Sequence, residues 1–403
     1  MKHGLIVDRI RTKSWREASG REILADRGWW LTVVTDRPGP GHRDPGPYTE
    51  VIVVPSLTDE SIRATVTEAH RDRPLSAIST TSELFLESLA SLRDDLGLPG
   101  PGGGYTNALR DKWAMKEVAR RHGIPHAEGV LGSDVQAVHE LLDRAGRCVI
   151  KPRRLSGSRG VHVVDRQADL TEWLDRCPDP SGHLIESFVD GALLHADGVV
   201  VGGRITWQLS RYERPTHLAG GHTPLSSCTV DDPALLGRTA DFLSRVADAW
   251  ALSNEVFHCE MFDLGDSLVL CEIAGRPGGA GVTDVFTATR GVNLRHAKTY
   301  LDFGEVVHPA VEPESLRRAG GWTVFYASGG RFLGVDDRGL GLHHSREIRA
   351  HRNDVVGASV FAGVGIATYV FLGDSSDAVR AAIGRYETEV RVLEDTADHD
   401  RYR

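Results

Sequence analysis

Two glutamates on neighbouring apolar segments are well suited to bind a cation. Glu260 lies in FHCEMFDL and Glu272 lies in LVLCEIAG, with a short GDS turn between the two segments. Strand alternation puts Glu260 on one face with His258, and Glu272 on one face with Leu270. If the segments pair, both carboxylates point to one side and need a counter-ion, for which oxygen ligands favour magnesium. An ion pair of Glu272 with Arg276 is the alternative.

A run of basic and small residues could hold a polyanion such as a triphosphate. KPRRLSGSRGV, at 151–161, contains four cationic side chains and two glycines between two strand-like segments. Backbone N–H groups of such a loop can surround an anion, and glycine lets the backbone approach closely. Lys151 would add a fixed charge, while Arg153, Arg154 and Arg159 would add mobile ones. The P-loop pattern GxxxxGK[ST] is absent, so an exposed basic hairpin is the alternative.

Lysine is scarce in this chain, which makes Lys112 and Lys151 candidates for a specific role. Only six of the 47 Lys and Arg residues are lysines, and a compact ammonium is not interchangeable with a guanidinium. Lys112 and Lys116 lie one turn apart in a predicted helix, DKWAMKEVARRHGIP, which stops at Gly123. Helical spacing alone predicts that both lysines lie on a solvated face.

The bulk composition is that of an ordinary folded protein. A chain of 403 residues with 40% hydrophobic and 26% charged residues is expected to form two or three domains. The net charge of −9 argues against a general nucleic-acid binder, and no apolar stretch approaches the ~20 residues of a membrane helix. The N-terminus lacks a signal-peptide pattern, so a cytoplasmic location is expected. Five cysteines without CxxC spacing are expected to be small buried hydrophobic residues.

Strand and helix patterns alternate over the first hundred residues. The strand-like runs 5–10, 30–36 and 50–55 are separated by helix-type segments such as SWREASGREILADRG, which predicts an open, mostly parallel sheet. The first loop has no GxGxxG, so a standard dinucleotide site is not predicted. The Gly- and Pro-rich stretch 96–107 is predicted to be a linker.

From residue 148 onward, antiparallel hairpins dominate. A helix is predicted near 232–251, and the tail from about 315 carries the strands WTVFYAS, ASVFAGV and ATYVFLG before a closing helix. The predicted fold class is therefore α/β followed by α+β.

The order of these motifs resembles the ATP-grasp enzymes, in particular the carboxylate–amine ligases of the L-amino-acid ligase and carnosine synthase type. The resemblance runs from about Asp111 to Gly304 and includes RDKWAMKEVARRHGIP, VIKPRRLSGSRGV, IESFVDG, HADG, FHCEMF and CEIAGRPGG, in the family's order. It implies an N-terminal parallel α/β (pre-ATP-grasp) domain, an ATP-grasp lid subdomain, an ATP-grasp catalytic subdomain and a small C-terminal α+β unit. Their expected bounds are 1–105, 106–185, 186–310 and 311–403.

The resemblance also implies ATP and Mg²⁺ as cofactors, and a role for individual residues. Two lysines, a mobile loop and a hinge strand would bind the nucleotide. These residues are Lys112, Lys151, Ser156, Gly157, Ser158, Arg159, Gly160, Glu186, Ser187, Phe188 and Val189. Glu260 and Glu272 match the magnesium ligands. The family's motif commonly ends in ExNxR, and this chain has Ala274 in place of the asparagine that often assists a second magnesium ion. The resemblance therefore implies one magnesium ion. The usual acidic ribose ligand has no clear match, and Asp197 is the candidate for it.

The remaining implied residues concern the chemistry and the substrates. Arg276, together with Lys151 and Arg159, would be catalytic, with Arg276 steadying an acyl phosphate. The implied substrate contacts are His258, Arg276, Gly278, Gly279 and His222. His222 lies in ERPTHLAGGHTPLSS, a stretch that an ordinary surface loop would also explain.

The function that the resemblance implies is ATP-dependent amide formation between a small-molecule carboxylate and an amine, with amino acids as natural substrates. A homodimer is expected from the behaviour of relatives. The alternatives are a biotin-carboxylase-like or purine-pathway carboxylase, a phosphotransferase, and a non-catalytic ATP-binding regulator.

Overall fold

The N-terminal segment forms a parallel sheet, as predicted. The computed structural model describes residues 1–9, 14–17, 19–38, 40–43, 45–359 and 365–395. The first sheet has the order β3-β2-β1-β4, all parallel. Its strands are β1 (Lys2–Val7), β2 (Trp29–Thr35), β3 (Thr49–Val53) and β4 (Ala77–Ser79), and its helices are α1 (Pro40–Arg43), α2 (Asp59–Asp72) and α3 (Leu86–Leu96). Apolar side chains are buried along β1 and β2 because parallel sheets are covered on both faces.

The helix predicted in SWREASGREILADRG is wrong. The described residues of this stretch form turns and an antiparallel bridge between Arg16 and Glu22. Gly20 takes a φ of +86° and its N–H donates to the carbonyl of Glu17, which closes a turn where a helix would have to continue. The end of the predicted first strand, at residue 10, lies outside the described residues.

The second segment forms a small antiparallel sheet with the order β5-β8-β6-β7. Its elements are α4 (Gly103–Ala108), α5 (Lys112–Arg121), β5 (Gly129–Leu131), α6 (Val135–Ala145), β6 (Cys148–Pro152), β7 (His162–Val164), α7 (Gln167–Arg176) and β8 (His183–Ser187). Because residues 103–108 are helical, the linker is shorter than predicted. The N-cap Asp111 accepts hydrogen bonds from the backbone of Trp113 and Ala114 and so fixes the start of α5.

An eight-stranded antiparallel sheet with the order β13-β12-β9-β10-β11-β14-β18-β16 forms the centre of the molecule. Its first part is built by β9 (Ala192–Val201), β10 (Arg204–Tyr212), β11 (Leu225–Thr229), α8 (Pro233–Ala249), β12 (Asn254–Asp263), β13 (Leu268–Ala274), α9 (Val282–Arg290) and α10 (Leu294–Asp302). The predicted helix near 232–251 is confirmed as α8, and it packs with α5 on the apolar face of β12 and β13.

The C-terminal segment extends the central sheet and also adds a small one. Its elements are β14 (Ala319–Phe325), β15 (Gly330–Asp336), β16 (Ser345–Ile348), β17 (Val355–Val356), β18 (Ala367–Gly373), α11 (Ser376–Glu389) and β19 (Arg391–Asp395). Strands β14, β18 and β16 join the central sheet through β11, while β17, β15 and β19 form a three-stranded sheet. The predicted strand ASVFAGV lies mostly outside the described residues. No helix in the described parts of the chain is long and apolar enough to cross a membrane.

Candidate active site

A cleft of about 790 Å³ is lined by the N-terminal segment, the small antiparallel sheet, the central sheet and the C-terminal segment. Small-molecule sites have volumes of roughly 300–1,000 Å³. Most of the residues singled out in the sequence line this cleft. They are Lys112, Lys151, Ser156, Gly157, Ser158, Arg159, Glu186, Ser187, Phe188, Val189, His258, Glu260, Glu272, Arg276, Gly278 and Gly279.

Glu260 and Glu272 are direct partners in the antiparallel ladder between β12 and β13. The register shifts between Glu260 and Met261, which leaves Cys271 opposite no residue. This bulge resets the strand alternation. The predicted shared face of Glu272 and Leu270 is therefore wrong, because Leu270 pairs with the core residue Met261 whereas Glu272 pairs with Glu260, although atoms of both Leu270 and Glu272 border the cleft.

Two buried side chains and the half-buried Tyr212 orient Glu260. The hydroxyl of Tyr212 donates to Oε1 of Glu260 at 2.8 Å, and Nε2 of His258 lies 3.4 Å from the same oxygen. Nδ1 of His258 is bonded to Oδ1 of Asp197 at 2.8 Å. Burial alone would lower the pKa of His258, but the carboxylate of Asp197 outweighs it and raises the pKa to about 10. His258 is therefore an imidazolium that donates from both ring nitrogens.

Lys112 holds the second carboxylate. Its Nζ lies 3.1 Å from Oε2 of Glu272 and donates to the carbonyl of Leu155 at 2.8 Å. Burial alone would raise the pKa of Glu272, but the ammonium of Lys112 lowers it to about 2. Oε2 of Glu260 and Oε1 of Glu272 accept no hydrogen bond from any described residue. A donor set of two ionised carboxylates with open oxygens fits a hard cation such as magnesium.

Lys116 is a functional candidate that the sequence analysis missed. It is 4% exposed, so the predicted solvated face is wrong. Its Nζ donates to the carbonyls of Leu270 and Cys271 at 2.9 Å each and lies 3.0 Å from Oε1 of Glu186, whose other oxygen pairs with Lys151. Although burial favours protonation, the two ammonium groups hold the pKa of Glu186 at about 2. This face of α5 packs against β13 instead of facing solvent.

Cys271 also departs from its prediction. It is half-buried and lines the cleft, with its Sγ 4.0 Å from Nζ of Lys151. Burial raises the pKa of its thiol to about 12, so the group stays neutral. Cys148, Cys228 and Cys259 are buried as expected, and all five cysteines are free thiols.

The loop after β6 bends sharply above the cleft. Gly157, Ser158 and Gly160 have φ angles of 65°, 59° and 71°. The left-handed region is unusual for a serine, and Oγ of Ser158 donates to Oγ1 of Thr216 at 2.9 Å. A Cβ at Gly160 would lie 2.8 Å from Cγ of Pro152, so this turn depends on glycine. Gly160 itself is not among the residues that line the cleft.

Only one of the three loop arginines faces the cleft. Nε of Arg153 donates to Asp111 at 3.0 Å, and Arg154 donates to Oδ1 of Asn107 at 2.8 Å. The prediction that Arg153 and Arg154 supply mobile charge is therefore wrong, because hydrogen bonds to the N-cap of α5 and to α4 fix their side chains. Arg159 lines the cleft.

Arg276 is anchored by Glu83, a second residue that the sequence analysis missed. Nε of Arg276 donates to Oε2 of Glu83 at 2.8 Å, and its Nη1 donates to the carbonyl of Pro277. Glu83 is also paired with Arg110. The alternative pairing of Arg276 with Glu272 is wrong, because no such ion pair forms. Glu83 lies shortly after the end of β4, and the carboxyl ends of parallel strands are common ligand positions.

Comparisons with known proteins identify the fold. No protein-family model matches the chain. A curated relative, the L-arginine-specific L-amino acid ligase of Bacillus subtilis, is 24% identical over 258 residues, which cover 60% of this chain and 62% of the relative's length. The crystal structure of an L-amino acid ligase from Bacillus licheniformis superposes with a TM-score of 0.76 at 16% identity, over 98% of this chain and 99% of that one. The chain has the ATP-grasp fold.

A second structural neighbour is a biotin carboxylase domain. The biotin carboxylase domain dimer of the 2-oxoglutarate carboxylase from Hydrogenobacter thermophilus, in complex with MgADP, ADP and bicarbonate, superposes with a TM-score of 0.71 at 15% identity, over 98% and 92% of the two chains. The predicted resemblance to the ATP-grasp enzymes and the predicted fold class are confirmed.

Three residues implied by the ATP-grasp resemblance lie outside the cleft. Besides Gly160, these are Asp197 and His222. Both carboxylate oxygens of Asp197 are taken, one by His258 and the other by Nδ1 of His195 at 2.6 Å, so the structure does not bring it to a ribose. His222 is exposed, and its ring lies 3.3 Å from Oγ of Ser328. The earlier part of the same stretch does line the cleft, at 213–217.

Proposed function

We propose that this ATP-grasp protein is a ligase that joins a small-molecule carboxylate to an amine through an acyl phosphate. The observation that carries the proposal is the meeting of Glu260 and Glu272 in one cleft with Lys112, Lys151 and the anchored Arg276. The cleft thus combines a cation site, a phosphate-binding set and a cationic group for the reacting carboxylate. These are the parts that phosphoryl transfer followed by acyl transfer requires.

The residues of the small antiparallel sheet and α5 would bind ATP. Lys112, Lys151 and the loop at 156–160 supply positive charge and backbone N–H groups for the phosphates. The strand end at 186–189 lines the cleft beside them and would contact the adenine. Lys116 joins this set because it shares Glu186 with Lys151 and so fixes both groups. Magnesium held by Glu260 and Glu272 would neutralise charge on the phosphates.

The residues of the cleft would position the substrates for two successive steps, phosphoryl transfer and amide formation. The substrate carboxylate, held by Arg276, attacks the γ-phosphorus of ATP, and ADP leaves as the acyl phosphate forms. The amine next attacks the activated carbonyl carbon, the C–O bond to phosphate breaks, and inorganic phosphate and a proton leave. Arg276 stabilises the oxyanion of that second step. Positive φ angles at 157, 158 and 160 let the loop cover the cleft and exclude water.

Amino acids are the proposed substrates. The curated relative is named an L-arginine-specific L-amino acid ligase, and an L-amino acid ligase is among the structural neighbours. The chain spans less than two thirds of that curated relative, so the substrates are proposed by similarity of the matched region alone.

A carboxylase is the second candidate, favoured by the biotin carboxylase neighbour. It would use the same nucleotide residues but activate bicarbonate. A non-catalytic regulator is less well supported, because it would have no use for both carboxylates and the anchored Arg276.

Phosphate release from ATP, screened over pairs of the twenty amino acids, tests the proposal. Products of active pairs are identified by mass spectrometry, with Lys151→Ala as the inactive control and Arg352→Gln as the active one. An amide whose mass is the sum of both substrates minus water supports the ligase. Phosphate release that needs bicarbonate and gives no amide would identify the carboxylase instead.

A further inference from the structure

Two arginines line the cleft without a partner among the described residues. Arg295 lies in the first turn of α10, and Arg349 follows β16 directly. Within the ranges that the structure describes, neither guanidinium forms a hydrogen bond or an ion pair. Both come from the α10 and C-terminal side of the cleft, whereas the proposed nucleotide residues come from α5 and the small sheet.

Most other cationic side chains of the cleft are neutralised by carboxylates. The ion pairs are Lys112 with Glu272, Lys116 and Lys151 with Glu186, Arg276 with Glu83, Arg211 with Asp263 and Arg214 with Glu387. Lys116 and Lys151 share one carboxylate, so that cluster keeps one positive charge. On the α10 and C-terminal side of the cleft, the positive charge without a carboxylate partner among the described residues belongs to Arg295 and Arg349.

The environment of Arg295 favours a bound anion. Arg295 is half-buried, and this burial lowers its pKa. Asp284, Glu347 and Asp8 act on it only at longer range, and Arg349 adds repulsion between like charges. A partly buried charge without a partner is costly, and an anion between two guanidinium groups would remove that cost.

A carboxylate matches this pair of arginines better than other groups that the proposed substrates carry. A guanidinium presents parallel N–H donors that bind carboxylate oxygens two at a time. Apolar side chains of Leu225, Val282 and Trp322 line the same cleft, so the rest of a small substrate would meet an apolar wall.

We propose that Arg295 and Arg349 bind a substrate carboxylate other than the one that is activated. This inference rests on the proposed function. The group is either the free carboxylate of the amine substrate or a second carboxylate of the acyl donor. In both cases the two arginines determine specificity and take no part in the bond changes.

Binding measurements separate this subsite from the ligase proposal. Wild-type protein saturated with magnesium and a non-hydrolysable ATP analogue is titrated calorimetrically with each of the twenty amino acids and with its carboxamide. We expect at least one amino acid to bind at least tenfold more tightly than its carboxamide. Arg295→Gln should abolish that preference, because a charge-assisted hydrogen bond is worth about tenfold or more in affinity.

The same titrations include a control variant and define the results that would contradict the subsite. Arg352→Gln replaces an exposed arginine that does not line the cleft and should keep the wild-type preference. If Arg295→Gln and Arg349→Gln both keep the preference, or if the wild type shows none, the subsite is overturned even where amide formation is found. A preference lost in these variants supports the subsite even where no amide forms.

Kinetics with an active pair identify the source of the carboxylate. Arg295→Gln should raise KM for one substrate by about tenfold to a hundredfold, and KM for ATP should stay unchanged. The amine substrate's carboxylate, or the donor's second carboxylate, is then replaced by a carboxamide. If the two arginines bind the replaced carboxylate, Arg295→Gln and the wild type should have the same KM for the carboxamide substrate. We expect this equality for only one of the two replacements. An equal effect of Arg295→Gln on all substrates would contradict the proposal.

Discussion

Glu260 and Glu272 are direct cross-strand partners, so their carboxylates share one side of the β12–β13 pair. Like charges placed opposite each other destabilise a sheet unless other charges compensate them. Here Lys112 holds one carboxylate, while Tyr212 and the imidazolium of His258 hold the other. Each carboxylate still has one oxygen open to the cleft, which is the arrangement on which the magnesium proposal depends.

Glu272→Gln should remove the magnesium dependence of nucleotide binding. The amide is a weaker ligand than the carboxylate, and Lys112 is released to neutralise phosphate instead. ATP affinity measured by calorimetry across a magnesium titration should become nearly flat. Glu305→Gln, a substitution of a paired glutamate outside the cleft, should keep the wild-type curve. A wild-type curve for Glu272→Gln would refute the metal assignment.

Tyr212→Phe should weaken magnesium binding by roughly tenfold. The hydroxyl donates to Glu260 at 2.8 Å, and partners that orient a ligand typically contribute ten- to a hundredfold in affinity. Tyr369→Phe removes a similar hydroxyl bond, to Asp337 outside the cleft, and should leave magnesium affinity unchanged. Equal magnesium affinities for both variants would show that Tyr212 does not orient the ligand.

Arg276→Ala should lower turnover by about 10²-fold or more, the scale for loss of one oxyanion donor. The fold should survive, because Glu83 keeps its ion pair with Arg110. Turnover and thermal unfolding are measured together, with Arg290→Ala as the control, since Arg290 donates to the carbonyl of Trp207 away from the cleft. Near-normal turnover in a folded Arg276→Ala protein would exclude the proposed role.

The stability of the protein should fall as pH rises from 6.5 to 9, through His258. Its pKa is about 10 in the fold against 6.5 unfolded, so its contribution is complete below pH 6.5 and is lost as pH approaches 10. The wild type should lose about 3 kcal/mol more than His258→Asn over this range. Urea unfolding in the presence of a metal chelator measures the difference, and parallel pH curves for the two proteins would contradict the assignment. The exposed His351→Asn is the control.

Motifs with a local physical cause were predictable from the sequence. The stop at Gly123 and the strands around Glu260 and Glu272 depend on residues close in the chain, and they occur where predicted. The pairing of the two glutamates was also predicted correctly, although the bulge at Cys271 was not, because nothing in LVLCEIAG marks the unpaired residue.

Contacts made across long sequence separations were not predictable in the same way. Lys116 faces Glu186 and the backbone of β13, and Glu83 meets Arg276 from a segment that lies 193 positions earlier. Helical spacing assigns Lys116 to a face but cannot say what covers that face. Asp197 failed as a ribose ligand for the same reason, because its partners His195 and His258 are brought together only by the β9–β12 pairing.

The fate of the carboxylate oxygens tests the central proposal most directly. A substrate acid labelled with ¹⁸O in both carboxylate oxygens is turned over with ATP, magnesium and the amine, and the released phosphate is analysed by mass spectrometry. An acyl phosphate predicts that each released phosphate carries one ¹⁸O, because the oxygen that attacked ATP leaves with it. Unlabelled phosphate accompanying a labelled amide would contradict the mechanism.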